Sequence, residues 1–272
     1  MPEIILHNYP ASPVAEKVRK AFGLKGLSWR DVEIPRLPPK PDLVCLTGGY
    51  RRTPVMQIGA DIYCDSQCIL REIERRHPEP TFFPGGANGM AVAVSRWSDG
   101  ELFDLAVKLI LGAAGDALDP AFAADRGRLY LGPDWAAGLK AANADLPHLA
   151  AQMRAHIGWI DQRISTGRQF MLGDAPGLPD VLTWHVIWFL AGRWNDGPAF
   201  LDQFKALGPW RERMEALGSG RAETMSAENA HSIAKESEIS TTEATDPLDP
   251  QGVVPGQKIS VAPDLNGGEQ AV

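Results

Sequence analysis

The chain has 272 residues, 44% of them apolar and 22% charged, an ordinary globular composition at a length that suggests about two domains. No run of about 18 apolar residues occurs, so no membrane span is expected, and three cysteines (Cys45, Cys64, Cys68) are too few for a disulfide framework and fit a reducing cytoplasm. The net charge of −7 is uneven: from Ser219 onward nine acids stand against three basic residues, so the body is near neutral, shows no basic stripe and argues against nucleic-acid binding.

Met1-Pro2-Glu3 is neither a signal nor a transit sequence and leads into Ile4 to His7, an apolar run that reads as a buried strand. The turn formers Asn8 to Ala11 follow. Ser12 then caps a helix with Pro13 at its first position, where a missing N–H costs nothing and φ is already helical. That helix runs to about Lys25, with Val14, Val18, Ala21 and Phe22 on one apolar face. Leu27 to Ile34 reads as a second strand. Pro35, Pro38, Pro39 and Pro41 break regular structure, leaving room for a short helix near Leu43 to Leu46. Pro54 to Ile58 and Asp61 to Cys64, joined by Gly59-Ala60, read as a hairpin, and Asp65-Ser66 opens a helix to about Arg76. The order is β, α, β, short α, β, β, α.

His77 to Gly89 is a Pro- and Gly-rich linker. Beyond it come only helices: Met90 to about Leu111; one carrying Leu149, Met153, Ile157, Ile160 and Ile164; an almost wholly apolar, central one from Leu178 to Leu190; and a short one from Pro209 to Leu217. Asp119 to Gly138 gives no clear pattern. Ser226 to about Glu238 reads as a surface helix, and Ser240 to the end, rich in Pro, Gly, Thr and acids, as mostly disordered, with a short strand allowed at Lys258 to Val261.

Five segments carry a family resemblance. Ser12-Pro13-Val14-Ala15-Glu16-Lys17-Val18-Arg19, Gly26-Leu27, Arg52-Thr53-Pro54-Val55, Asp65-Ser66-Gln67-Cys68-Ile69 and Phe170 to Asp180 occur in the order and spacing of the cytosolic glutathione transferase superfamily, and the whole reading from Ile4 to Leu217 resembles it. The resemblance implies an α/β thioredoxin-like N-terminal domain joined to an all-α C-terminal domain, with boundaries at 1–80 and 88–218 and an acidic, mostly disordered tail at 219–272. Gly177 departs from the family's Ser or Thr, which removes half of a capping box with Asp180.

The resemblance also implies a chemistry. Glutathione is the co-substrate, and its thiol, which titrates near ~8.5 when free, must become a thiolate to attack. Ser12 supplies a hydroxyl donor, and the helix that starts at Pro13 supplies a positive N-terminus; both favour the charged sulfur. A hydroxyl has one donor and two lone pairs, so Ser12 can cap its helix and still donate to sulfur. Tyr9 is the rival in the same loop, and a packed aromatic is its simpler reading. Serine in place of cysteine disfavours disulfide exchange. A cis Thr53-Pro54 bond leaves the Thr53 main chain to pair with the cysteinyl unit of glutathione. Ser66 holds the γ-glutamyl carboxylate at a helix N-terminus, Asp65 faces the ammonium, and Arg52, ahead of Lys40, meets the glycyl carboxylate.

Other patterns carry less. Gly85 to Gly89 follows Phe-Pro and is a linker, not a dinucleotide loop. Cys64 and Cys68 lack clustered histidines, so no metal is expected; His185 on the central helix reads as a satisfied core histidine. The expected activity is addition of glutathione to a small hydrophobic electrophile, a detoxification chemistry. Glutathione-dependent ether cleavage, dehalogenation or isomerisation, and a non-catalytic binding module, stand as alternatives. A cytoplasmic homodimer is expected from the resemblance alone.

Overall fold

A computed structural model describes residues 3–86, 88–240 and 246–260. In chain order the elements are β1 (Ile4–Asn8), α1 (Pro13–Leu24), β2 (Ser28–Glu33), α2 (Pro41–Thr47), β3 (Val55–Ile58), β4 (Asp61–Cys64) and α3 (Ser66–Arg76). There follow α4 (Asn88–Trp97), α5 (Phe103–Ala114), α6 (Pro120–Tyr130), α7 (Trp135–Ala144), α8 (Leu146–Ile164), α9 (Leu178–Arg193), α10 (Gly197–Leu201), α11 (Leu207–Ala216), β5 (Arg221–Thr224) and α12 (Ala227–Glu236). The chain divides into two compact units. One takes in the described residues up to Tyr9, Trp29–Asp65 and those from Glu223 on; the other takes in Pro10–Ser28 and the described part of Ser66–Ala222.

The sheet runs β4-β3-β1-β2-β5. β1 is parallel to β2, with Ile5 opposite Arg30, and antiparallel to β3, with Leu6 opposite Met56. β3 and β4 form the expected hairpin, and Gly59 at its turn has φ +62°, a conformation that glycine adopts without a Cβ penalty. This is the thioredoxin-like arrangement. Every residue of β1 is buried, which is why it reads as an unbroken apolar run.

One face of this sheet carries two small apolar clusters. Ile34, Leu43, Tyr50 and Val55 pack with α2, and Ile5 and Val32 pack against Ala230, Met225, Ala227 and Ile233. The helix read from Ser226 to about Glu238 is α12, but the second cluster shows that it packs on the sheet and that a strand precedes it. Arg221–Thr224 extends the sheet beyond β2, and α12 covers Ile5 and Val32. Apolar residues Ala227, Ala230 and Ile233 recur at helical spacing and so share the face of α12 that meets the sheet. Gln57, buried in β3, joins the two: its amide donates to the Ala230 carbonyl at 2.8 Å while its oxygen meets His7 Nε2 at 2.9 Å. Residues 258–260 form no strand; Val261 lies outside the described residues.

In the helical unit, a core from Leu102 to Met214 centres on α5, α8 and α9. The single helix read from Met90 to Leu111 carries a π turn at Ser98–Leu102, with helical backbone at Trp97 and Phe103 on either side, and α4 and α5 follow one another through it. The stretch without a clear pattern holds α6 and α7, capped by Asp119 and Asp134, whose carboxylates accept from Phe122 N and Ala137 N. α1 buries Glu16, Lys17, Arg19 and Lys20 as well as its apolar face. Their partners lie far along the chain: Trp184 Nε1 donates to Glu16 at 2.9 Å, Lys17 Nζ to Asp99 at 2.6 Å, and Lys20 Nζ to the Met214 carbonyl at 2.9 Å.

Gly177 begins α9. Its N–H donates to Asp180 Oδ2 at 3.0 Å, so one half of the capping box survives. A Cβ at Gly177 would stand 2.9 Å from Pro84 Cδ and 3.0 Å from the Phe82 carbonyl oxygen, which explains the absent hydroxyl residue. The other Asp180 oxygen accepts from Met171 N at 2.8 Å and Trp210 Nε1 at 2.9 Å.

Candidate functional site

Ser12 stands where the loop after β1 enters α1. Its backbone is extended, with φ −76° and ψ 118°, and its Oγ accepts from Ala15 N at 3.1 Å. Its carbonyl accepts the first intrahelical bond, from Glu16 N at 2.9 Å. Ser12 is only 2% exposed, so its hydroxyl acts in a nearly water-free setting. The cap uses one lone pair and leaves the O–H to donate. Tyr9 packs against the cluster of Ile34, Leu43, Tyr50 and Val55, with the Lys40 ammonium 5.6 Å from its ring centre.

In the sheet unit, the Thr53–Pro54 peptide is cis and precedes β3 directly. Lys40, buried, donates from Nζ to Thr53 Oγ1 at 3.1 Å and to the Arg51 carbonyl at 3.2 Å. The sequence ranked Arg52 first, yet Lys40 is the cation placed against Thr53. Arg52 lies beside Thr53 in the chain, with its Nε buried. A lysine among prolines carries no local signal of burial, which is why it ranked second.

Asp65 is exposed and has φ +73°, the one non-glycine residue in the left-handed region among the described residues. Asp tolerates that region better than most, at a cost of order ~1 kcal/mol. The kink turns the chain from β4 into α3, so that Ser66, buried, is the first helical residue and its N–H is one of the helix's orphan donors. Thr53, Pro54, Arg52 and Asp65 belong to the sheet unit; Ser12 and Ser66 belong to the helical unit, at the N-termini of α1 and α3.

Those two helices are tied together by a residue that sequence reasoning missed. Asp99, presented by the π turn, accepts from Lys17 of α1 and from the Gln67 amide of α3. Burial, the largest single influence, would raise the Asp99 pKa, but the Lys17 charge and the donors around the carboxylate together outweigh it and the net shift is downward. His185 Nε2 lies 3.9 Å from the same carboxylate. The expectation of a satisfied core histidine needs correcting: His185 is fully buried, but neither ring nitrogen has a hydrogen-bond partner. Burial first, and Lys17 second, push its pKa down to about 3, so the ring is neutral. No group of three or more His, Cys, Asp or Glu side chains among the described residues could hold a metal ion, and no described helix is long and apolar enough to cross a membrane.

Residues 6–81 match the N-terminal domain of glutathione S-transferases. A GST-like protein from Pseudomonas syringae shares 32% identity over 96% of this chain and 84% of its own, with a TM-score of 0.78. A glutathione S-transferase from Methylobacterium radiotolerans, solved with glutathione sulfonate, is 22% identical over 82% of this chain and 97% of its own, at TM-score 0.53. A beta-etherase from a Sphingobium species is 14% identical over 78% and 95%, at TM-score 0.57. At those identities the last two speak for the fold alone. No curated protein matches the sequence.

Proposed function

This chain belongs to the glutathione S-transferase superfamily, and on that premise we propose that it ionises the glutathione thiol at Ser12 and adds the thiolate to a small hydrophobic electrophile. The observation that carries the proposal is the Ser12 cap, whose hydroxyl accepts from Ala15 N and keeps its proton for a sulfur anion at the positive end of α1. A hydrogen bond to the charged form and a helix N-terminus each favour thiolate over thiol.

The remaining contacts follow from the chemistry of the tripeptide. The Thr53 main chain, next to Pro54 at the entry to β3, pairs with the cysteinyl unit in strand fashion. Ser66 offers an N–H and a hydroxyl at the start of α3 to the γ-glutamyl carboxylate, and exposed Asp65 receives the ammonium. Arg52 takes the glycyl carboxylate, with Lys40 beside Thr53 as the second cation. The positive φ of Asp65 supports its part, since left-handed backbone at a non-glycine residue concentrates at ligand clamps.

The test compares wild type with Ser12→Ala and Ser12→Thr for glutathione affinity, thiol pKa by thiolate absorbance, and turnover of an aryl halide. Ser12→Ala should bind glutathione within about threefold of wild type, with its thiol pKa about one unit or more higher and turnover at least ~10-fold lower. Ser12→Thr should retain both functions of the hydroxyl. An alanine variant that ionises the thiol as well as wild type removes Ser12 from the mechanism, and a wild type that does not bind glutathione removes the whole reading.

A further inference from the structure

The loop that carries Ser12 is held from behind by a side chain of the helix it starts. Helical side chains lean toward the N-terminus, and Arg19 reaches back along α1 until its Nη2 donates to the Pro10 carbonyl at 3.1 Å, two residues before Ser12. Glu16, one turn earlier, steers that guanidinium. Its Oε2 accepts from Arg19 Nε at 3.1 Å and lies 3.0 Å from Nη2. The other Glu16 oxygen accepts from Trp184 Nε1 at 2.9 Å. Trp184 is buried in α9, with Lys20 Nζ 4.7 Å from its ring centre. All of these residues lie in the helical unit.

The Arg19–Glu16 pair is nearly buried, with side chains 11% and 8% exposed. A buried ion pair is a weak source of stability, because desolvation offsets most of the attraction. What this pair does provide is direction. The guanidinium reaches both Glu16 and the main chain of the Ser12 loop, and the carboxylate is fixed by the indole of a core helix. We infer that Arg19 is a positioning residue for thiol activation: through the Pro10 carbonyl it sets where the Ser12 hydroxyl points, with Trp184 as its anchor through Glu16. The inference rests on the functional reading above. It adds that the ionisation of a bound thiol depends on an indole N–H two side chains removed from the loop. Misplacement of a catalytic group by about 1 Å can cost ~100-fold in rate, so a loose loop should show in kcat before it shows in binding.

Removing Arg19 alone would strand a buried carboxylate and endanger folding. The test therefore pairs Arg19→Met with Glu16→Gln, which leaves an amide oxygen for Trp184 and removes both charges of the pair together, and adds Trp184→Phe, which keeps the ring and removes only the N–H. Hydrogen exchange at Tyr9, Ala11 and Ser12 reads the loop without any ligand. Thiolate absorbance of bound glutathione and the pH profile of kcat, with an aryl halide as probe electrophile, read the chemistry. In the double variant we expect loop exchange at least ~10-fold faster, the thiol pKa raised, kcat down ~10- to 100-fold and the glutathione KM within about threefold. Trp184→Phe should shift the same quantities in the same direction by about threefold. Unchanged loop exchange, or faster exchange with unchanged thiol ionisation and kcat, overturns the inference while leaving Ser12 in place. Failure of the functional reading is separable, because it shows in wild type as absence of glutathione binding before any variant is compared.

Discussion

His185 is the residue whose behaviour follows most directly from its surroundings. Its pKa falls from an ordinary 6.5 to about 3. Between those values the unfolded chain binds one more proton than the folded one, so this residue's contribution to stability is lost as the pH falls, by about 1.4 kcal/mol per unit. Asp180 acts in the opposite sense. Burial raises its pKa to about 6, against the pull of the Trp210, Met171 and Gly177 N–H donors. Below pH 6 the folded chain binds the extra proton, and stability is regained down to the ordinary Asp value. The two slopes cancel over roughly pH 4 to 6. His185→Leu, which replaces the buried ring with a side chain that does not titrate, should release the cancellation: relative to wild type it should gain about 2–3 kcal/mol between pH 7 and pH 4.5. Denaturant midpoints at the two pH values measure this; equal differences at both would mean that His185 titrates normally. Asp99 and Lys17 face the ring and keep their ion pair in this range, since the Asp99 pKa is displaced downward. The burial of His185 and the capping part of Asp180 were legible in the sequence, but the charges that face His185 were not. Ser12-Pro13 declares itself because capping is local chemistry, whereas Lys17 and Asp99 are 82 positions apart and each, read alone, is an ordinary solvated charge.

Elements were legible where what they bury is apolar and illegible where they bury polar side chains as well. α8 shows its apolar stripe plainly. α1 shows Val14, Val18, Ala21 and Phe22 but hides the fact that Glu16, Lys17, Arg19 and Lys20 are also buried, because polar residues satisfied by distant partners have no periodicity of their own. The π turn between α4 and α5 was likewise invisible: Ser98-Asp99-Gly100 suits a helix well enough, and the extra residue per turn is fixed only once Asp99 must meet Lys17 and Gln67. Gly177 is the case in which local rules mislead. Capping preference says that Ser at this N-cap should stabilise α9 by completing the box with Asp180. The surroundings say otherwise, since a Cβ would lie 2.9 Å from Pro84 Cδ and 3.0 Å from the Phe82 oxygen, an atom that already accepts from Leu178 N at 2.8 Å. Gly177→Ser should therefore lower stability by about 1–3 kcal/mol, as overpacking does. A variant with an unchanged or higher unfolding temperature would show that the segment near Phe82 and Pro84 yields easily.

At the scale of the molecule, the tail decides how the sheet is finished. Its composition pointed to an acidic appendage, and charge counting alone could not show otherwise: six of the seven net negative charges follow Ser219. Yet β5 lies at the β2 edge, and α12 places Ala227, Ala230 and Ile233 over Ile5 and Val32. Without them the sheet would expose a run of unpaired β2 backbone and an apolar face, the combination that invites edge-to-edge association. Gln57 would also exchange the Ala230 carbonyl for water and lose the bond that ties β3 to α12. Ending the chain after Gly220 should therefore lower the unfolding temperature by ~10 °C or more and leave a protein that aggregates near neutral pH. Ala230→Asp tests the same packing with the chain intact, because it sets a carboxylate against Ile5 and Val32 and should cost at least ~3 kcal/mol. Ile239→Asp, at an exposed position three residues beyond the end of α12, should change stability by less than about 0.5 kcal/mol. If Ala230→Asp melted with wild type, α12 would be a passenger on the sheet, and the acidic-appendage reading of the tail would return.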